Sequence, residues 1–310
     1  MTKKEVRLDV RQLRNFVGVV DTGSLSRAAV VLSVSQPSLS QQIAAMEAEL
    51  GVALLVRSPS GVRPTEAGVT LYGHARAVLR QMQEMRAEIK GGGPAGAKGN
   101  VTVGLPTSMA AIMAVPLVER LAESQPGVRL QLLESFSGHM VELLANGRLD
   151  MAVLFRETEG TSISVTPLFT EYLSVYGAAH VGNPQSSTCR LSMLSGVPLV
   201  LPGHSNGLRM LIERAFAQAR LELNVVADLD SLPAMLELAR HGRVATVNTA
   251  ALARLPGNML LARRLVDPHI CRPVSLCRQT TMPQTAASLV TGEIIRSLAR
   301  ELGPSWDKVA

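Results

Sequence analysis

The sequence predicts an α plus α/β fold: a helical N-terminal unit, one long connecting helix, and a larger α/β domain of two lobes. Three observations predict it. Apolar residues recur at helical spacing through about residue 90. The stretch Gly91-Gly-Gly-Pro-Ala-Gly-Ala-Lys-Gly99 is too rich in Gly and Pro to hold a helix or pack a core. Beyond it, short strand-like runs alternate with helical ones, the pattern of sheets covered by helices. The expected parts are a head over 8–65, a linker helix over 66–90, a flexible hinge at 91–99 and the α/β domain over 100–304.

Each element has a local reason. Val10, Leu13, Phe16, Val17 and Val20 share one helix face, and Gly23 ends that helix. Ser24 can cap a second helix, Leu25–Leu32, in which Ala28 and Ala29 permit close packing. Ser33-Val34-Ser35 turns the chain. Ser35 can cap a third helix, with Pro37 in its first turn, where a missing N–H costs nothing. Leu39, Ile43, Met46 and Leu50 form its buried face, and Gly51 stops it. Two apolar runs in Val52–Pro64, split by Arg57-Ser-Pro-Ser-Gly61, suit a small β-hairpin. Thr65 then caps the long helix. Its residues Leu71, Ala75, Val78, Met82, Met85 and Ile89 are spaced 4, 3, 4, 3, 4, a heptad seam that predicts a partner helix.

After the hinge, strands are predicted at 100–105, 128–134, 150–155, 199–201, 224–227, 244–247 and 272–276. Helices are predicted at 108–124, 139–146, 206–220, 232–240 and 284–302. Parallel sheets in two clusters are expected, with the chain crossing near Ile163–Pro167 and returning near Asp267–Cys271, which leaves a cleft between lobes.

Charge and composition narrow the function. The 310 residues carry a formal charge of +6. Residues 1–65 hold eight Lys/Arg against five Asp/Glu, half of that excess. The balance fits a polyanionic partner. No run reaches the ~18 apolar residues of a membrane span, and no apolar segment follows the basic N-terminus as in a secretory leader. A cytoplasmic protein with no membrane partner is expected. Cys189, Cys271 and Cys277 are odd in number and lack metal-ligand spacing, which fits reduced thiols. Cys271 and Cys277 lie six apart on a strand pattern, so both are expected on one face as packed thiols. The six histidines are scattered, and no His-Glu-x-x-His, Walker loop or Gly-x-Ser-x-Gly appears. No catalytic, metal or cofactor site is read. His204 beside Ser205 is the one tempting nucleophile–base pair, and no acidic orienter is evident for it.

Two short helices, a tight turn and a hairpin describe a winged helix-turn-helix. The exposed face of the third helix carries Gln36, Ser38, Ser40, Gln41 and Gln42, neutral donors and acceptors without bulk. Gln can bridge adenine N6 and N7 in a major groove, and Ser can donate or accept. Pro37 can press on a thymine methyl. Arg57 and Arg63 fall in the wing, where an arginine enters a minor groove or pairs with phosphate. Arg11, Arg14 and Arg27 can add phosphate contacts, which set affinity rather than sequence preference. Ser24 and Ser35, at the two helix starts, complete the candidate DNA-binding set.

Residues 8–90 resemble the DNA-binding half of a LysR-type transcriptional regulator. The likeness rests on Leu13-Arg-Asn-Phe16, Gly23-Ser-Leu-Ser-Arg-Ala-Ala29, Ser35-Gln-Pro-Ser-Leu-Ser-Gln-Gln-Ile43, Glu47, Leu50-Gly51, Leu54-Leu-Val-Arg57 and Pro64-Thr-Glu-Ala-Gly68. It implies base or backbone contacts by Gln36, Pro37, Ser38, Ser40 and Gln41, with Arg57 in the wing, and dimerisation through the long helix. A weaker likeness, to the family's nitrogen-assimilation control branch, rests on Ser40-Gln-Gln-Ile43, Arg63-Pro-Thr65, Tyr72-Gly-His-Ala-Arg-Ala77 and Gly147-Arg-Leu-Asp-Met-Ala-Val153. The family likeness also implies a periplasmic-binding-protein-like effector domain, a homotetramer built from two dimers, double-stranded promoter DNA with dyad symmetry as partner, and contact with RNA polymerase.

Strand-to-helix junctions mark the expected lining of an effector cleft. They nominate Thr107, Ser108, Ser135, Phe155, His204, Ser205, Ser231, Asn248 and Thr249. Hydroxyls at helix N-termini, such as Ser108 and Ser205, can hold a carboxylate or phosphate, or serve as ordinary caps. Arg243 and Asn248 stand where the family commonly has Gly and Pro, so the cleft takes a different effector or none. A second reading makes the chain a small-molecule binding protein whose N-terminal helices serve only assembly.

Overall fold

The computed structural model describes residues 8–59, 61–90, 96–157, 163–177, 186–255, 260–280, 282 and 284–306. The chain forms two compact units, one centred on the residues before Ala95 and one on those from Gly96. Five residues of the expected hinge, 91–95, and the wing-tip residue Ser60 lie outside the described residues.

In the first unit, α1 (Val10–Thr22) starts with a capping box that sequence patterning missed. The Gln12 N–H donates to Asp9 Oδ1 at 2.7 Å and the Asp9 N–H to Gln12 Oε1 at 2.8 Å. Gly23 closes α1 at φ 61°, a left-handed conformation that suits glycine. Ser24 caps α2 (Leu25–Val31), and Ser35 caps α3 (Gln36–Leu50). Phe16, Val19, Ala28, Leu39, Ile43 and Met46 are all fully buried where these helices cross. The wing is β1 (Leu55–Ser58) paired antiparallel with β2 (Gly61–Pro64). Glu47 of α3 anchors it, its Oε1 accepting the backbone N–H of Leu54 at 2.8 Å and of Leu55 at 3.1 Å.

Thr65 caps α4 (Glu66–Lys90), accepting the Gly68 N–H at 3.0 Å. A Cβ on Gly68 would sit 2.0 Å from the Leu54 carbonyl, so only glycine lets the helix pass the wing. The predicted seam of α4 divides. Ala75 is buried and Leu71 packs against the head's own core. Val78 and Met85 are exposed. The side chain of Ile89 lies outside the described residues.

The second unit runs β3 (Gly99–Leu105), α5 (Thr107–Ser124), β4 (Val128–Glu134), α6 (Ser137–Ala145), β5 (Met151–Leu154), β6 (Ile163–Gly177), β7 (Thr188–Arg190), β8 (Leu199–Leu201), α7 (Gly207–Ala219), β9 (Val225–Asp228), α8 (Leu232–Arg240), β10 (Ala245–Thr249), β11 (Arg263–Val266), β12 (Cys271–Gln279) and α9 (Ala286–Trp306). The sheets are mixed rather than parallel. β4-β3-β5 run parallel, but β12 lies antiparallel to both β5 and β6. In the other lobe β10-β8-β9 run parallel, and β10 is antiparallel to β6. The first expected crossing is itself part of a strand: β6, fifteen residues long, pairs with β12 along its first part and with β10 along its last; the second is a turn that leads into β12.

Each lobe has its own core. One gathers Val101, Val103, Met109, Met113, Leu117 and Ile295; the other gathers Leu173, Val175, Leu199, Ile212, Phe216 and Val247. Cys277 is buried as expected, and burial pushes its thiol pKa up to about 11. Cys271 is exposed instead. It opens β12, and the register with β6 shifts between Val274 and Ser275, so the two thiols do not share one environment. Among the described residues no helix is long and apolar enough to cross a membrane.

Candidate nucleic-acid interface and ligand cleft

No charged side chain occurs from Gln36 to Met46. Gln36, Pro37 and Gln41 are exposed, and Ser38, Ser40 and Gln42 are half-buried. Hydrogen bonds organise this face. Ser26 on α2 donates to Gln36 Oε1 at 3.2 Å. Gln42 donates through Nε2 to Ser38 Oγ at 3.3 Å, and its Oε1 accepts from Asn15 Nδ2, a buried side chain of α1. Arg57, on the wing, donates through Nη1 to Ser40 Oγ at 3.1 Å.

The other nominated residues have visible local tasks. Ser24 and Ser35 accept the N–H of Arg27 at 3.4 Å and of Ser38 at 3.3 Å as N-caps. Arg27 donates to the Thr22 carbonyl at 2.7 Å, a cation at the C-terminal end of α1, where the helix dipole favours it. Arg63 is exposed on β2, opposite Val56. Sequence reasoning missed Asn15, Ser26 and Glu47 as organisers of the face. It also missed a link between α1 and α4: Tyr72 donates to Asp21 and receives Arg76 Nη1 at 3.1 Å. Burial first, and then the Asp21 hydrogen bond, push the Tyr72 pKa upward.

In the second unit a cleft of about 60 Å³ lies between the lobes. Thr107, Ser108, Ser135, Phe155 and Asn248 line it, together with Arg272, which was not nominated. Ser108 lies inside the first turn of α5, and Asn206 rather than Ser205 caps α7. Neither His204, Ser205, Ser231 nor Thr249 lines the cleft. Ser231 and Thr249 are spent as caps of α8 and of the short helical turn after β10. Sequence showed no acidic partner for His204, but its Nδ1 stands 3.1 Å from Glu213 Oε1. Among the described residues Ser205 makes no hydrogen bond to that ring. Buried Arg209 also engages Glu213 at 2.7 Å and Asp228 at 2.6 Å.

Arg272 dominates the cleft. It is 8% exposed and faces Glu171, 0% exposed, directly across the β12–β6 pairing. Its Nε donates to Glu171 Oε1 and its Nη2 to Ser108 Oγ at 3.4 Å. Its guanidinium carbon lies 3.4 Å from the centroid of the Phe155 ring. The second Glu171 oxygen has no hydrogen-bond partner among the described residues. A buried ion pair thus sits where the strands pass from one lobe to the other.

A capped three-helix head with a wing, joined to a two-lobed α/β domain with an interlobe cleft, defines a DNA-binding regulator carrying a ligand-domain architecture. Residues 10–69 match the family described as bacterial regulatory helix-turn-helix protein, lysR family, and residues 94–300 match the LysR substrate binding domain. The chain belongs to the LysR family and is a LysR-type transcriptional regulator, with a DNA-binding helix-turn-helix and an effector-binding domain. It is 34% identical over 248 residues to the nitrogen assimilation regulatory protein Nac of Klebsiella aerogenes, covering 80% of each chain. Against the protein of the same name in Escherichia coli K12 the identity is 32% over 286 residues, covering 90% of this chain and 92% of the other. The fold is similar to full-length OxyR of Pseudomonas aeruginosa, at TM-score 0.75 and 23% identity over 96% of both chains. It is also similar to CbnR, solved in complex with its target DNA, at TM-score 0.56 and 24% identity, covering 94% of this chain and 100% of the other. The relatives are transcriptional regulators rather than enzymes. The reading in which the N-terminal helices serve only assembly is not favoured.

Proposed function

We propose that the N-terminal half of α3 enters the major groove of a dyad-symmetric promoter site and reads bases through Gln36, Pro37, Ser38, Ser40 and Gln41. The observation that carries this is a charge-free run of exposed and half-buried hydrogen-bonding side chains whose orientations are held by α1, α2 and the wing. Arg27, Arg57 and Arg63 flank it and supply phosphate contact and salt dependence. Two chains pair through the α4 seam, exposed Val78 and Met85 with half-buried Met82, so that two heads reach successive groove faces. Two such dimers make a tetramer. The protein acts in the cytoplasm, without catalysis. A small effector entering the cleft beside Arg272 shifts the lobes and alters contact with DNA or RNA polymerase.

The test is selection of genomic fragments by the purified full-length protein, followed by footprinting at two salt concentrations. Discrete protected sites with imperfect dyad symmetry are expected. Diffuse protection that vanishes at moderate salt leaves only counterion release and overturns the reading.

A further inference from the structure

The hydrogen bonds on α3 have a direction as well as a geometry. An amide oxygen only accepts and an amide nitrogen only donates, whereas a hydroxyl can do either but has one proton. Asn15 is 3% exposed, and its Nδ2 donates to Gln42 Oε1. That turns the Gln42 nitrogen toward Ser38, whose Oγ accepts at 3.3 Å. The Ser38 proton has no acceptor among the described residues. The two neighbouring groups are polarised the same way. Ser40 accepts from Arg57, a donor-only guanidinium. Gln36 receives the Ser26 proton on its oxygen, which leaves its NH2 group outward.

We propose that Asn15 is a positioning residue for base selection: acting through Gln42, it fixes Ser38 as a donor, so the base facing Ser38 is chosen for an acceptor. In the major groove guanine accepts at O6 and N7, thymine at O4 and adenine at N7, while cytosine N4 only donates; cytosine is therefore the base excluded, and the keto bases are those with no competing donor. The inference rests on the reading of α3 as the base-reading helix. It adds a polarity that residue type leaves open, since serine serves either kind of edge.

Binding-site selection from random duplex DNA tests it, using full-length wild type, Ser38→Ala, Gln42→Glu and Asn15→Asp. Ser38→Ala identifies the position by erasing preference at one base pair of each half-site. Wild type is expected to favour a keto base there, by about tenfold over cytosine. In Gln42→Glu the carboxylate can only accept, so it takes the Ser38 proton and leaves an outward acceptor. Preference at that one position then moves to an amino base, cytosine or adenine. Asn15→Asp turns the Gln42 amide over and produces the same switch. The added negative charge weakens all sequences alike and does not move a preference at one position. Gln42 is half-buried, so its variant keeps the test standing if Asn15→Asp fails to fold. A keto preference that survives Gln42→Glu, while Ser38→Ala erases it, overturns the polarity. If Ser38→Ala changes no position, the reading of α3 itself falls at Ser38.

Discussion

Replacing Arg272 by Met leaves Glu171 as a buried carboxylate with no counter-charge. Both side chains are more than nine-tenths buried, and they face each other across paired strands. The loss also removes the donor to Ser108 and the cation over Phe155. Breaking one side of a buried pair costs about 3–5 kcal/mol, chiefly because the remaining charge stays desolvated. For a unit of ~150–250 residues that is a fall in melting temperature of about 6–20 °C, at ~2–4 °C per kcal/mol. Replacing both partners by apolar residues of like length removes the stranded charge, and such replacements are often near neutral. Glu171→Met/Arg272→Met is therefore expected to melt above Arg272→Met, although it carries one more substitution. Calorimetry and urea unfolding of the full chain, with the single and double variants side by side, measure this. A loss below ~1 kcal/mol in Arg272→Met, or a double variant no more stable than the single, refutes the reasoning.

Other perturbations separate the parts of the head. Gln36→Ala should lower the ratio of specific to random DNA binding while the salt slope stays nearly unchanged; Arg57→Ala should weaken all sequences and flatten that slope by about one. Titrations at several salt concentrations distinguish them, and equal losses on specific and random DNA for Gln36→Ala exclude a base-reading role. Tyr72→Phe removes the hydrogen bond to Asp21 that joins α4 to α1, and the one accepted from Arg76 within α4, and should cost about 0.5–1.5 kcal/mol in urea unfolding of the head. An unchanged midpoint shows the link to be idle. Among the thiols, exposed Cys271 should react with a disulfide reagent at once, and Cys189 and Cys277 only on unfolding. Burial raises the Cys277 pKa from 9.0 to about 11, so its contribution to stability is full below about pH 9 and is lost as pH climbs toward 11. A stability flat over that range counts against its burial.

Local chemistry was legible and long-range chemistry was not. Gly23, Ser24, Ser35, Gly51 and Thr65 act on backbone groups within one helical turn, so each boundary of the head could be read from its neighbours. β7 and β11 are three and four residues long and pair with each other, β11 also with β6, with no alternation strong enough to announce them. β6 read as a crossing because its burial follows two different partners rather than a period of two. Arg272 and Glu171 meet across 101 positions, a pairing that depends on register. Asn15 left one signal: a polar residue beside Phe16, on the side where α1 turns inward. Hydroxyls at helix starts divide: Thr107 and Ser108 line the cleft, whereas Ser231 and Thr249 serve their own caps, a difference that residue type does not reveal.

The size of the cleft limits what any effector can do. About 60 Å³ holds a handful of non-hydrogen atoms, at roughly 10–15 Å³ for each water-sized centre, against ~300 Å³ for small ligand pockets. A ligand larger than that reaches out of the cleft or enlarges it. The space available for that is held by Arg272, and moving its guanidinium away from Glu171 sets an opposing term of about 3–5 kcal/mol. Under the proposed reading of the cleft, a ligand that supplies its own cation to Glu171 offsets the opposing term, whereas one that only fills volume does not. Because β6 and β12 carry the pair between the lobes, the same displacement moves the strands that join them. In that reading Arg272, which lines the cleft, is also the group whose displacement a ligand would be felt through.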